Sequence, residues 1–511
     1  MSRTPVIHMI GNAHLDPAWM WQMSEGLEAF LATCRSALDR MDEYPDFIFT
    51  CSSAAHLEFV EQTDPSLFKR IQSRAREGRW VNVGGWWVEA DCNLPSGESF
   101  LRQALLGQQF FRSRFGKICD VGYCIDSFGH NANLPQLLKI CGLPNYVFMR
   151  PDDTEKELPT ALFAWKASSG DKVNAYRIAL HYSNFARSVE KKLADLIEHP
   201  LFTTEHDWMI FYGVGNHGGG PTKAQIEQIL KAQLNSKNIV FSSPSKFFKS
   251  LPDQVRVHNG DIHPHAIGCY SAHSELKQLN RRAEHALIVA EKFCAIAEAH
   301  TQFKADWKAL QQGWKNVCFN QFHDILGGVA IKEACEDAIS MYREAIAIAD
   351  RAKRLAIQSI ASKIDTRGEG EAVIVFNPKS FDSEEEFAIE LWHPHASELG
   401  EVLEHLRVID DAGKECIVQR SRPSGKIGGD RTRFIARATI PAFGWKTFFV
   451  QRHQKSSVGE MLRFDKPKGE STPIMALHVP LTKNANPGWT EGIHSYQPAE
   501  VYTDASDTWG H

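Results

Sequence analysis

Several features are missing from this chain of 511 residues, and each absence excludes something. Its 11 cysteines are odd in number and none stands in a C-x-x-C pair, so neither a disulfide framework nor a thiolate zinc ribbon is expected. They read as small buried hydrophobes, and any bound metal must be held by histidine and carboxylate. Basic excess is also missing. With 57 Lys and Arg against 62 Asp and Glu the formal net charge is -5, which argues against a nucleic-acid partner. No run of about 18 apolar residues occurs, so no membrane partner is expected. The opening "MSRTPVIHMIGN" lacks an uninterrupted apolar core with a small-residue cleavage site, and the expectation is a cytoplasmic, unanchored protein.

What is present is an ordinary globular composition, 43% hydrophobic and 23% charged, long enough for two to four units. Up to about residue 250, short apolar runs such as "DFIFT", "ICDVGYCI" and "WMIFYGVG" alternate with helix-like stretches. That alternation predicts an α/β fold with a mostly parallel sheet or barrel. Three long segments with helical apolar spacing follow, ending in "EACEDAISMYREAIAIADRAKRLAIQSIASKI", and predict a three-helix bundle. After "DTRGEGE" the pattern shortens to β-rich runs, expected to form a sandwich-like region. The expected domains are therefore 1–265, 266–365 and 366–511. No internal repeat or low-complexity tract is found.

Four places carry chemistry. In "MIGNAHLDPAWMW", His14 and Asp16 stand just past an apolar run, and a spacing of two puts both on one side of extended backbone, where they suit either one ion or ordinary structural hydrogen bonds. Trp19 behind them is core packing or a platform for a sugar ring. Asp126, after "VGYCI", has the place of a catalytic carboxylate at a strand end or of a cap on the next helix. His130 fits a ligand or a supporting hydrogen bond. In "NQFHDILGG", His323 and Asp324 sit near a helix end that turns at Gly327 and Gly328. Together His14, Asp16, Asp126 and His323 offer two imidazoles and two carboxylates, a set that suits zinc. The glycines of "FYGVGNHGGGPTK" indicate a loop with close backbone approach to a ligand; it lacks the phosphate-loop spacing.

These blocks, with "CSSAAHLEFVE", "GRWVNVGGWWVEADCNLPSGESFLRQALLGQQFF" and "CYSAHSELKQLNRRAE", resemble glycoside hydrolase family 38, the zinc-dependent α-mannosidases, and above all its bacterial cytoplasmic branch. The resemblance runs from about residue 6 to 340. It implies a seven-stranded β/α barrel, a three-helix bundle and β-sandwich domains beyond. It implies His14, Asp16, Asp126 and His323 as zinc ligands, Asp126 also as nucleophile, and Trp19, Phe128, Asp324 and Arg150 as sugar contacts. Substrates would be mannose-containing oligosaccharides or small mannosides, and a homo-oligomer is an open option. For Glu89, Asp91, Ser96 and Glu98 no role is transferred.

The resemblance also has gaps. A retaining glycosidase needs a second carboxyl group about 5–5.5 Å from the first. Where relatives tend to carry aspartate in the Gly-rich loop this chain has Asn216, so His217 becomes the acid/base candidate, with Asp152 and Asp153 as other options. The loop "LGGVA" replaces Leu-Pro-Gly-Ser of relatives, and "DASDTWGH" reads as the entrance to a further β domain, so a truncated product is expected. Two competing readings stay open: a metal-dependent deacetylase or amidohydrolase, and a non-catalytic sugar-binding protein.

Overall fold

A computed structural model describes residues 4–184, 188–252, 255–392, 406–421 and 431–452. The chain divides into two compact units, Met1–Ile288 with Asp306–Arg351, and Val289–Ala305 with Ala352–His511.

Among the described residues ten strands belong to the first unit: β1 (Ile7–Asn12), β2 (Phe49–Cys51), β3 (Trp80–Asn82), β4 (Val121–Cys124), β5 (Asn145–Phe148), β6 (Leu162–Lys166), β7 (Lys172–Arg177), β8 (Trp208–Tyr212), β9 (Ile239–Phe241) and β10 (Val257–Asn259). Between them run α1 (Met23–Glu43), α2 (Ala54–Thr63), α3 (Pro65–Arg76), α4 (Gly97–Phe115), α5 (Leu134–Ile140), α6 (Val189–Glu198), α7 (Lys223–Asn235) and α8 (Pro244–Phe247). The central strands are buried along their length, β4, β5 and β8 at every residue, which is why they read as unbroken apolar runs rather than alternating ones.

The strands hydrogen-bond as two five-stranded sheets. One has the order β3-β2-β1-β8 with β9 also on β1, and the other β10-β6-β7-β5-β4. All pairs are parallel except β6 with β7. A mixed α/β fold with parallel sheets is therefore what the chain adopts. The resemblance implies a seven-stranded β/α barrel; among the described residues the strands form two separate sheets, which meet at two seams without ladder pairing. At the first, Gly84 and Gly85 adopt positive φ just after β3, and the Gly84 amide donates to Val121 O at 2.8 Å. At the second, between β7 and β8, the buried Tyr176 hydroxyl donates to Met209 O at 3.1 Å and accepts from Met209 N at 3.0 Å. A side chain does there what a backbone ladder does elsewhere.

Long helices follow: α9 (Ser274–His300), α10 (Trp307–Asn320), the short α11 (His323–Gly327) and α12 (Lys332–Ala361). Within the first unit they interlock closely. Tyr342 donates to Asn280 Oδ1, Asn320 Nδ2 to Ala338 O, and Gln321 Nε2 to Asn280 and Glu284. Sequence spacing runs helical through "NQFHDIL", but the extended ψ of Phe322 (139°) stops α10 and lets α11 start afresh at His323. Gly328, at φ 72°, ends α11 in the left-handed region that glycine tolerates. No helix among the described residues is long and apolar enough to cross a membrane.

The second unit carries β11 (Glu371–Phe376), β12 (Ser383–Trp392), β13 (Leu406–Asp410), β14 (Ile417–Ser421), β15 (Arg431–Ile440) and β16 (Trp445–Arg452). They form two three-stranded antiparallel sheets, β11-β16-β13 and β12-β15-β14. Both sheets contribute to one core that includes Ile389, Val408, Phe434, Ala436, Phe448 and Val450. The "DASDTWGH" segment lies outside the described residues.

Candidate metal centre and active site

The C-terminal ends of β1, β4 and β8 open on one place, where loops of a parallel sheet normally carry function. Past β1 the chain stays extended: Leu15 bridges to Asn216 and His217, and the Asp16 amide donates to Asn216 O at 3.0 Å. The Gly-rich loop thus clamps the His14–Asp16 segment and turns both side chains inward. Asp126 follows β4 and caps no helix, since α5 begins only after Asn133. His323, at the head of α11, completes the group.

The four side chains converge. One ligand atom from each of His14, Asp16, Asp126 and His323 lies within 4.8 Å of the others, and all four residues are buried. His14 Nε2 stands 2.8 Å from Asp16 Oδ1 and 3.6 Å from Asp126 Oδ2, and His323 Nε2 is 3.8 Å from Asp16 Oδ1. Three of these atoms, His14 Nε2, His323 Nε2 and Asp16 Oδ1, are buried without a hydrogen bond of good geometry, the first and last being each other's close ion-pair neighbours. Poorly satisfied buried polar atoms are costly, and a shared cation would satisfy all three.

The outward nitrogens supply a second indication. His323 Nδ1 sits 2.9 Å from Glu89 O, which can only accept, so the proton is on Nδ1 and the Nε2 lone pair faces the cluster. His14 Nδ1 faces Glu89 Oε2 at 3.3 Å. That carboxylate is 3% exposed, accepts from Ile125 N at 3.2 Å and also takes the Ser52 hydroxyl. Burial by itself would lower the His14 pKa, yet Glu89 and Asp16 raise it well above an ordinary imidazole. Burial likewise opposes ionisation of Asp126, but His14, Arg150 and His323 hold it below the usual carboxylate range. Asp324 goes the other way, pushed well up by burial and by Asp16 and Asp126.

Around Asp126 the contacts are specific. Arg150 Nε donates to its Oδ1, and the Tyr182 hydroxyl, buried and 3.1 Å away, reaches its Oδ2. The same Tyr182 oxygen lies within hydrogen-bonding reach of the Asn216 side-chain amide, whose N–H end can donate to it while the single phenolic proton serves Asp126. Phe128 sets its ring edge-on to His323 at 5.5 Å, and Asp324 Oδ2 lies 3.8 Å from His323 Nε2. Trp19 lies in the turn after Asp16, half-buried, its ring edge-to-face with Trp21. His217 is half-exposed, bonded to Glu25 at 2.8 Å and packed on the Trp21 edge. His130 lies outside the four-residue cluster, its ring nitrogens on Tyr146 and on Arg150 O.

The remaining polar residues hold the frame. Asp91 receives the Asn93 and Leu94 amides, with its pKa raised to about 6 by burial; Ser96 caps α4, and Glu98 pairs with Arg102. Asp152 caps the Thr154–Glu155 turn and Asp153 faces His199 at 3.2 Å. Both line a cavity of about 370 Å³ beside Arg150, Glu155 and His181. Tyr182, Glu155 and His265 are not singled out by any sequence motif.

Comparison with known proteins identifies the family. Residues 4–267 match the glycosyl hydrolases family 38 N-terminal domain and residues 266–360 the alpha mannosidase middle domain. Mouse alpha-mannosidase 2C1 is 34% identical over 348 residues, covering 66% of this chain and 33% of that protein. Alpha-mannosidase G of Dictyostelium discoideum is 31% identical over 345 residues, covering 66% of this chain and 32% of that one. The match therefore spans about a third of the length of these relatives. The crystal structure of an alpha-mannosidase from Enterococcus faecalis V583 shares the fold, with a TM-score of 0.72 at 18% identity, covering 88% of this chain and 56% of that one. With the first of the two domains alone matching more than half its length, the chain belongs to glycosyl hydrolase family 38.

Proposed function

We propose that the chain is a zinc-dependent, retaining exo-α-mannosidase that acts in the cytoplasm on terminal α-mannosyl residues of oligosaccharides or small mannosides. The observation that carries this reading is the buried convergence of His14, Asp16, Asp126 and His323, with one ligand atom of each within 4.8 Å of the others. Relatives named as α-mannosidases support the choice of sugar. On this reading residues 1–265 are a β/α barrel with β1 to β5, β7 and β8 as its seven strands, residues 266–365 a three-helix bundle and residues 366–511 a sandwich domain.

Zinc held by those four residues would act as a Lewis acid toward the sugar hydroxyls. Asp126 is the nucleophile. Arg150 and Tyr182 each hold one of its oxygens, so the carboxylate is ionised and presented in one orientation. Its attack on the anomeric carbon forms a glycosyl-aspartate and expels the leaving oxygen, which takes up a proton. Water, losing a proton to the same acid/base group, then attacks the anomeric carbon and releases Asp126 with configuration retained. Trp19, Phe128 and Asp324 contact the sugar.

His217 is the proposed acid/base. Its Nε2 faces Glu25, which leaves Nδ1 as the nitrogen that would exchange a proton with the substrate. Asn216 has the better position but the wrong chemistry. Its side chain reaches the same Tyr182 oxygen as Asp126 does, and two contacts of about 3 Å or less to one oxygen leave the two side chains no more than roughly 6 Å apart, near the spacing of a retaining pair. An amide cannot release a proton there.

The test is hydrolysis of an aryl α-mannoside by metal-loaded and metal-stripped protein and by Asp126→Ala. A fluorinated mannosyl substrate should leave a covalent adduct on the wild type. Hydrolysis that survives Asp126→Ala would sink the reading.

A further inference from the structure

The Arg150 guanidinium that holds Asp126 is itself only partly enclosed, with 28% of its side chain exposed at the edge of the cavity beside it. Left alone, such a side chain exchanges rotamers with solvent. Two histidines prevent this. The His130 ring, fixed through Nδ1 by the Tyr146 hydroxyl at 2.8 Å, has Nε2 2.8 Å from Arg150 O and so donates to it, anchoring the main chain. The His265 ring places Nε2 3.0 Å from Arg150 Nη1. Guanidinium nitrogens only donate, so that Nε2 must accept and the His265 proton must lie on Nδ1. There it meets Glu155 Oε1 at 2.6 Å. Carboxylate, imidazole, guanidinium and the Asp126 carboxylate therefore form one directed chain in which every hydrogen-bonding atom has a defined role.

We propose that His265, set in its tautomer by Glu155, is a positioning residue for the reaction: it acts through Arg150 to hold the Asp126 carboxylate in line with the anomeric carbon. The inference rests on the reading of Asp126 as nucleophile. Neither residue touches the four-residue cluster or the sugar contacts except through Arg150 and the Phe128 ring, 5.9 Å from the His265 ring. Orientation rather than affinity is what the pair supplies, so its loss lowers kcat and spares KM.

The experiment is steady-state hydrolysis of an aryl α-mannoside by the full chain loaded with zinc, comparing wild type, Asp126→Ala, His265→Leu and His265→Gln. Metal content and melting temperature are measured on each. His265→Leu should lose roughly 10- to 100-fold in kcat, with KM, bound metal and melting temperature unchanged. His265→Gln should recover most of it, because its amide oxygen can accept from Arg150. Wild-type kcat in His265→Leu, no recovery in His265→Gln, or a loss that tracks missing metal or fold would overturn the proposal. Should His265→Leu not fold, Glu155→Ala carries the same comparison, since the imidazole is then free to turn away, and an unchanged kcat again overturns it. Activity in Asp126→Ala would remove the nucleophile assignment and this inference together; full turnover in His265→Leu with a dead Asp126→Ala removes the inference alone.

Discussion

Replacing Glu89 with glutamine removes one buried negative charge and leaves the hydrogen bonding nearly intact. The amide oxygen can take the Ile125 amide and face His14, while the Ser52 hydroxyl turns to accept from the new N–H. Two effects then compete. In the empty site the carboxylate 3.3 Å from His14 Nδ1 stabilises the imidazolium, an interaction of about 5 kcal/mol at an effective dielectric near 20, before desolvation is subtracted. In the loaded site the imidazole would be neutral, and the carboxylate would act on its N–H dipole and, at longer range, on the cation. Losing such an outer partner typically costs about 10- to 100-fold in metal affinity, or about 1.4–2.7 kcal/mol. The sign follows from the raised His14 pKa: its proton persists to higher pH than on an ordinary imidazole, and wild-type affinity climbs with pH as that proton leaves. Glu89→Gln should bind zinc about 10- to 100-fold more weakly at alkaline pH. Its curve should meet the wild type at low pH, because it has less proton to displace. Competition with a chromophoric chelator between about pH 5.5 and 9, with melting curves alongside, measures both. Equal affinity at high pH, or parallel curves throughout, would refute the reasoning.

Buried His56, stacked on Phe30, has its pKa lowered by burial from 6.5 to about 4. Its contribution to stability is whole above the unfolded value of 6.5 and drains away as pH falls toward 4, because only the unfolded chain takes up the proton; the loss approaches about 3 kcal/mol. Denaturant unfolding of wild type and His56→Gln across that range checks it, and identical slopes would count against it. Gly26 in α1 has room for no side chain, as a Cβ there would sit 2.2 Å from Pro17 O and 3.0 Å from Asp16 O. Gly26→Ala should cost about 1–3 kcal/mol and weaken metal binding by displacing Asp16; a melting temperature and chelator affinity equal to wild type would contradict this. His217→Ala should slow aryl mannosides with poor leaving groups far more than activated ones, and Asn216→Asp should favour the poor ones; a rate change independent of leaving group would exclude both as the acid position.

The four-residue centre was legible because each member follows an apolar run that ends at the same edge of a parallel sheet, or a helix that stops nearby. His14 and Asp16 needed only extended backbone to point together. The alternation of strands and helices likewise announced a mixed α/β fold. Other features depend on proximity that no local pattern encodes. Glu89 supports the centre from a stretch whose neighbours are all core, and Arg150 meets Asp126 because β4 and β5 lie side by side. The break at Phe322 is invisible in spacing, since apolar residues keep helical period from Val317 through Leu326 while a single ψ angle restarts the helix. The two seams between the sheets escaped for the same reason: one is a pair of left-handed glycines, the other a tyrosine hydroxyl that no strand pattern distinguishes from core.

His14 and His323 face one another across only a few ångströms, yet about 300 residues of chain lie between them, the kind of long loop whose closure carries a large entropic debt. A cation seated there would work as a clasp on that loop. During synthesis three of its four ligands would be in place long before α11 emerged from the ribosome, so loading would report the arrival of that helix rather than the folding of the segment where the motif begins.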